Sequence, residues 1–472
     1  MTERDAAFSA SLFNTAPAQA LRLDPTFRPL ALGVRAYRAA LGAWGAAEPL
    51  AIALEQSPES VATLALEVFP AAAGRGADNL RYVSWMLNGL LWACGGWRIT
   101  LGGPRELCAA VAAQYGPGGP REFERLIMGQ AFGRPLEVVV TVAGAVPPPA
   151  QRALALGGHL EGCRLGFDLG ASDFKVAAVM DGEVLFSREF PWHPKEAADP
   201  AYHYQHLNQG LRLAASFLPR VDAIGGSTAG IVVDNRLRVA SLFRAVPPGV
   251  FEAEVEPLFL NLQAEWGVPL EVINDGDVTA LAGGLALGKA GILGLAMGSS
   301  EAVGFLDGAG RITGWLNELA FGPVDAHPLG GRDDWSGNPG TGAAYLSQQA
   351  LDRLAGPAGL TFAPDLDLPG RLLDLQARMA QGDPAAAEVY ATLGAYLGYT
   401  LPWYAEFYPL RHAMVLGRVT SGPGGAALLA RAQAVLTEQF PKEAAGLDLF
   451  LPDEQSRRVG QAVAAASLPP LT

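Results

Sequence analysis

Four stretches of the sequence combine residue types that can hold a phosphate or move a proton. In G-F-D-L-G-A-S-D-F-K-V-A-A-V, residues 166–179, Asp168, Gly170, Ser172 and Lys175 lie between two apolar runs. Gly170 permits a tight turn, and Ser172 with nearby backbone N–H groups can donate to a phosphate. Lys175 adds a point charge, and Asp168 at a strand end suits Mg2+ held through water. An ordinary hairpin with an Asp-X-Gly turn would read the same in isolation. V-I-N-D-G-D-V-T-A-L-A-G, residues 272–283, delivers Asn274 and Asp275 from a strand into a helix. A carboxylate at the C-terminal end of such a strand faces the ligand crevice. It can take a proton from a hydroxyl that attacks a phosphoryl group. Asp277 reads as the helix cap. L-A-M-G-S-S-E-A-V-G-F, residues 295–305, reads strand, Gly298-Ser299-Ser300 turn, strand, a second phosphate hairpin in outline. V-L-G-R-V-T-S-G-P-G-G, residues 415–425, puts Gly417 at a strand end, where a flat ring such as adenine can approach, or forms a plain Gly-rich loop.

These residues need a scaffold, and apolar patterning predicts one. Residues 164–167, 176–180 and 184–190 read as strands, the last two joined by the hairpin signal Asp181-Gly182. A helix over 204–217, strands over 221–225 and 231–233, and strands over 271–273 and 292–296 follow. Three strands, a helix and a strand, begun again later, describe a duplicated α/β fold with a ribonuclease-H-like layout. A helix is expected over 426–440. Ahead of this lies a mixed α/β region: strands over 50–54 and 61–68 around Ser57-Pro58-Glu59-Ser60, a helix over 79–94, a strand over 97–101, a helix over 104–115 and a strand over 136–142. Nothing there suggests catalysis, so it reads as a docking or oligomerisation unit. Pro147-Pro148-Pro149 marks the linker.

Composition sets the class. The chain has 472 residues, 50% hydrophobic and 17% charged, with a net charge of −13. Such length predicts two or three folding units with large cores. No apolar run reaches the roughly 18 residues of a membrane span, and the first residues lack a signal-peptide layout. The expectation is a cytoplasmic protein with no membrane partner. Residues 1–163 hold 13 Arg, no Lys and 13 acids, so the whole −13 belongs to the remainder. That balance argues against nucleic acid as a partner. Cys94, Cys108 and Cys163 fit neither a disulfide framework nor a zinc ribbon.

The order of the four motifs resembles the actin-like ATPase and sugar-kinase superfamily. Within it, residues 164–464 resemble the ROK family (repressor, open reading frame, kinase), which includes bacterial glucokinases. Its first motif, Asp-X-Gly-X-(Ser/Thr)-X-X-Lys, is present as Asp168, Gly170, Ser172 and Lys175. Its sugar loop matches S-T-A-G-I-V-V-D, residues 227–234, with Ala229 and Gly230 where the family often has Pro-Gly. The resemblance implies a duplicated ribonuclease-H-like (actin-like ATPase) α/β fold with a cleft between two lobes. The division would be 1–150 as an additional mixed α/β domain, 164–285 as the first lobe and 286–472 as the second. It implies an ATP- and Mg2+-dependent sugar kinase, acting on a hexose-like acceptor, with Asp275 as general base. Asn274, Glu318, Ala229 and Gly230 would hold the sugar. Gly170, Ser172, Lys175, Gly298, Ser299, Ser300 and Gly417 would hold the nucleotide, and Asp168 would hold Mg2+ through water. The resemblance also implies a homodimer.

The sequence departs from the family at defined points. The segment Gly-Glu-X-Gly-His reads N-E-L-A-F, residues 317–321, with Phe321 in place of His. The cysteine-rich zinc loop is replaced by D-A-H-P-L-G-G-R-D-D-W-S-G-N-P-G-T-G, so no structural zinc is expected from His327, Asp333 and Asp334. Glu301 follows the second turn, where it would repel a phosphate unless it points away or helps bind metal. Trp315 and Trp335 read either as sugar-stacking platforms or as local packing. His203 and His206, at helical i,i+3 spacing, read as a metal-binding pair or, in preference, as a solvated or capping pair. The alternative function is a sugar-binding regulator that kept the fold, lost catalysis and acts through a protein partner. A further alternative is an ATPase or acyl phosphotransferase.

Overall fold

The computed structural model describes residues 8–151, 156–170, 173–452 and 460–471. The first lobe is a five-stranded sheet of order β11-β8-β5-β6-β7. Its strands are β5 (Cys163–Leu169), β6 (Asp173–Met180), β7 (Glu183–Pro191), β8 (Ala223–Thr228) and β11 (Leu270–Asn274). β5, β6 and β7 run antiparallel, while β8 lies parallel to β5 and β11 parallel to β8. Every residue of β5 is buried, which explains its continuous apolar run. Asp181 and Gly182 both take positive φ, 49° and 83°, as the tight turn between β6 and β7 requires. The helix Pro200–Ala215 covers the sheet, capped by Asp199. β9 (Ile231–Val233) and β10 (Arg236–Val239) form a small separate hairpin.

The second lobe carries β12 (Ile292–Met297), β13 (Glu301–Leu306), β14 (His412–Leu416) and β15 (Asp448–Phe450), in the order β13-β12-β14-β15. The hairpin and the two parallel strands repeat the first lobe, but no third antiparallel strand follows β13 among the described residues. Ile312 makes one bridge to Leu306, and the chain then leaves the sheet. The lobes are interleaved in sequence. The helix Asp275–Leu287 packs on β12 and β13, and the helix Gln461–Ala466 returns to β5, β6 and β8.

The N-terminal region holds β1 (Glu48–Ser57), β2 (Ser60–Val68), β3 (Arg98–Gly102) and β4 (Glu137–Thr141), ordered β2-β1-β3-β4. Ser57 faces Ser60 across the expected turn. Its helices include Leu30–Trp44 and Gly76–Cys94. This region is not detached from the second lobe. Its buried residues form one continuous core with those of the second lobe, from Phe8 to Phe440. Asp24 accepts hydrogen bonds from Tyr396 at 2.6 Å and Arg353 at 2.8 Å, and Phe27 sits among Tyr345, Tyr396 and Tyr399. Among the described residues no helix is long and apolar enough to cross a membrane.

Candidate active site

β11 ends at Asn274, whose extended backbone (φ −61°, ψ 145°) opens the helix Asp275–Leu287. Its Oδ1 accepts the Gly276 N–H at 2.7 Å. Asn274 is therefore the helix cap. Its Nδ2 donates to the Gly230 carbonyl at 2.9 Å and to Glu318 Oε1 at 3.3 Å. One amide thus ties the Asn274-Asp275 loop, the Ala229-Gly230 loop and Glu318 together. Asp275, half-buried, is the first residue of the helix. Burial pushes its carboxyl up to about 7, and the Asp168 charge adds to the shift.

Asp277 does not cap the helix as its position suggested. It is buried, and its Oδ1 accepts from Asn317 Nδ2 at 2.7 Å and the Phe305 N–H at 3.3 Å. Burial raises it to about 7 against those bonds. The cap went to Asn274 because the last strand residue already has the extended backbone a cap needs.

In the first hairpin Asp168 faces Lys175 across the β5–β6 ladder. Ser227 on β8 donates to Asp168 Oδ1 at 2.6 Å. Burial raises the Asp168 carboxyl, opposed by Ser227 and by the Lys175 charge. The Gly170 N–H closes the turn onto Asp173 O at 2.9 Å. Ser172 lies outside the described residues. Lys175 Nζ sits 3.5 Å from Asp173 Oδ1 and 3.9 Å from Glu189 Oε2. The Ala229 N–H reaches the Leu169 carbonyl at 3.4 Å, so the Ala229-Gly230 loop leans on the first turn.

In the second hairpin the Gly298 N–H closes the turn onto Ser300 O at 2.9 Å, and Ser299 and Ser300 are exposed. Glu301 turns inward. It is buried, its Oε1 accepts from Tyr404 at 3.0 Å, and its Oε2 has no partner among the described residues. Burial pushes it up to about 8, so near neutral pH it is protonated and uncharged. Gly417 lies at the end of β14 with φ 98°, and a Cβ there would come within 2.4 Å of the Met297 carbonyl. Only glycine fits, and the Gly-rich loop packs directly on the second hairpin.

Glu318 stands on the loop that leaves the second sheet. Burial lifts its carboxyl to about 8, with the Asp275 and Asp277 charges adding. The preceding Asn317 adopts φ 54°, where the family's pattern has Gly, and spends its side chain locally. Its Nδ2 goes to Asp277 and its Oδ1 accepts from Tyr408 at 2.9 Å. Phe321 is buried against Trp92 and Phe123 of the N-terminal region, at 5.0 and 5.3 Å between rings. Trp315 stacks on Phe305 and Tyr408 and so takes the packing role. Trp335, 52% exposed, touches Phe321 edge-on. His203 is neither solvated nor a cap. It is buried with Nε2 3.0 Å from Pro194 O, whereas His206 Nδ1 meets Tyr202 O at 2.7 Å. Among the described residues no group of three or more His, Cys, Asp or Glu could hold a metal.

The structure therefore gathers Asp275, Asn274, Glu318, Gly230 and Asp168, and sets Gly417 beside the second turn. A cleft of about 700 Å³ runs beside Asn274, between β11, the β9–β10 hairpin and residues 312–316. Sequence reasoning missed Asn317, whose replacement of the family's Gly was the available signal. It also missed Asp277 as a holder of the Glu318 loop, and, although it expected the helix over 79–94, it missed that the end of that helix meets this loop.

No protein-family model matches the chain, and no curated protein sequence does. Solved structures do. The ROK hexokinase from Thermus thermophilus aligns with TM-score 0.50 and 21% identity, over 64% of this chain and 97% of its own. A ROK family glucokinase from Streptomyces griseus, solved with glucose and AMPPNP, aligns with TM-score 0.49 and 20% identity, over 65% and 98%. A ROK family transcriptional regulator, a homolog of the E. coli MLC protein, aligns with TM-score 0.48 and 21% identity, over 66% and 79%. Together with the two sheets and the motifs between them, the first alignment identifies the fold: over about two thirds of its length this chain is folded as a ROK hexokinase is.

Proposed function

We propose that the protein is an ATP-dependent kinase that transfers the γ-phosphoryl group to a hydroxyl of a hexose-like sugar. The observation that carries this reading is Asp275. It stands at a helix N-terminus at the C-terminal end of β11, the edge strand beside β8, and burial and Asp168 hold it at about 7. A base with that pKa is substantially ionised at neutral pH and still basic enough to accept a proton. Asp275 takes the proton of the attacking hydroxyl as the new P–O bond forms. The bond between the γ-phosphorus and the bridging oxygen breaks, and ADP leaves with the electron pair. Glu318, protonated near neutrality, donates to a sugar oxygen, and the Ala229-Gly230 backbone and Asn274 border the acceptor. The Gly170 and Gly298 turns, with Ser172, Ser299 and Ser300, cradle the phosphates. Lys175 adds charge to the first turn, and Gly417 admits the adenine. Closure of the two lobes excludes water, which would otherwise accept the phosphoryl group.

Asp168 fits Mg2+ of a particular kind. It offers one carboxylate with one oxygen already taken by Ser227, which suits an ion held mainly by water and nucleotide phosphates. The bound ion neutralises charge on the phosphates. The reading is tested by sugar-dependent ADP release over a panel of hexoses and amino sugars. Asp275→Asn is expected to lower turnover at least about 100-fold, within the usual worth of a positioned base, with the fold intact. Unchanged turnover in that variant removes Asp275 from the mechanism. A second reading, a sugar-binding regulator without catalysis, draws on Lys175, which lies between Asp173 and Glu189. Calorimetric binding of a sugar without binding of Mg-ATP would select it.

A further inference from the structure

The helix Gly76–Cys94 ends with four carbonyls that need donors. Leu91 O receives the Gly95 N–H at 2.9 Å. The other three are taken by the loop that carries Glu318. Trp92 O accepts from the Glu318 N–H at 3.0 Å, Ala93 O from Asn317 at 2.9 Å, and Cys94 O from Leu316 at 3.1 Å. Trp92, Ala93 and Cys94 are fully buried, so without these donors the Trp92 and Ala93 carbonyls would be left unpaired away from water. Gln56, at the end of β1, spans the same junction, donating through Nε2 to both Cys94 O and Gly314 O. Gly95, at φ 71°, lets the chain turn away here, and a Cβ on it would come within 2.8 Å of Leu316 Cβ. Phe321, three residues past Glu318, is anchored between Trp92 and Phe123.

We propose that the N-terminal region is a built-in part of the acceptor site, with the C-terminal turn of helix Gly76–Cys94 as the positioning element that fixes Glu318 against Asn274. This rests on the reading of Glu318 as an acceptor contact. The loop has left the second sheet, so its backbone has no ladder of its own. The helix end supplies one, residue against residue. Among the described residues no hydrogen bond joins the Gly170 or Gly298 turn to residues 314–318. Loosening this junction should therefore weaken acceptor binding selectively.

The test uses the full chain with Gln56→Ala, Gly95→Ala and, as control, Gly45→Ala. Gly45 also ends a helix with positive φ, 81°, and has nothing within 4 Å of an added Cβ. Two quantities are read: hydrogen–deuterium exchange of the Leu316, Asn317 and Glu318 amides, and KM for acceptor and for nucleotide. Gln56→Ala and Gly95→Ala are expected to speed exchange of those amides at least tenfold. They should raise acceptor KM at least fivefold, with nucleotide KM within twofold and kcat within threefold. Gly45→Ala should change none of these. Exchange at the wild-type rate in both variants, or an equal rise in the two KM values, overturns the proposal. If Gly95→Ala fails to fold, Gln56→Ala decides alone. If the wild type phosphorylates no acceptor, the kinase reading falls, and exchange still decides whether the helix end holds the loop.

Discussion

Each of the two hairpin turns, at Gly170 and at Gly298, has a buried carboxylate beside it, and the two are held in opposite ways. Asp168 precedes the first turn, faces Lys175 across the ladder and is held by Ser227. Its charge is felt at Asp275. Glu301 follows the second turn, points into the core, leans on Tyr404 and sits at about 8. The first acid is part of the electrostatics of Asp275. The second has been neutralised by burial, which removes the phosphate repulsion its position in the sequence suggested. Two turns alike in outline thus differ in where their acid points, and that decides which of them bears on Asp275.

The largest expected break in this comparison is Asp168→Asn. It removes both the proposed ion contact and the charge beside Asp275. Turnover should fall about 100-fold or more, with the remaining activity reaching its plateau at lower pH because Asp275 loses a reason for its raised pKa. Gly417→Ala comes next. Its Cβ would strike the Met297 carbonyl, so nucleotide KM should rise about tenfold and the melting temperature fall by several degrees. The wild-type pH profile sharpens the picture further. With Asp275 at about 7, kcat/KM should drop roughly tenfold per unit on the acid side of that value and level off above it. A profile flat between pH 5 and 8 would remove Asp275 as base.

The smallest effect on activity belongs to Glu301→Gln, within about threefold if the acid is already neutral in the wild type. Stability reports it instead. The folded pKa of about 8 lies above the ordinary glutamate value, so the unfolded chain releases the proton first. Rising pH between roughly 4.5 and 8 therefore favours unfolding through this group. Glu301→Gln should flatten that loss, with a melting temperature about 3–6 °C less sensitive to pH across the window. An unchanged slope would mean that Glu301 is charged in the native state.

Much of the frame was legible in the sequence because it is local. Strands β5, β6 and β9, the Asp181-Gly182 turn and the Ser57–Ser60 turn follow from runs and turn residues close in the chain. The helix Leu30–Trp44 went unread although Pro29 before it and Gly45 after it are ordinary end signals. What stayed hidden depends on partners far away in sequence. Asp277 looks like a cap until Asn317 takes its carboxylate 40 residues on. Phe321 looks like a lost His until Trp92 and Phe123 enclose it. The missing third strand of the second lobe is explained only by the end of helix Gly76–Cys94, which captures residues 316–318.

The central claim is that this cleft moves a phosphoryl group from ATP to a sugar. Phosphorus NMR of the full chain with Mg-ATP and a hexose panel tests it most directly. The account predicts a sugar phosphate ester formed one-for-one with ADP, and none with Asp275→Asn. Inorganic phosphate as the sole product, or no consumption of ATP with any sugar, would contradict it.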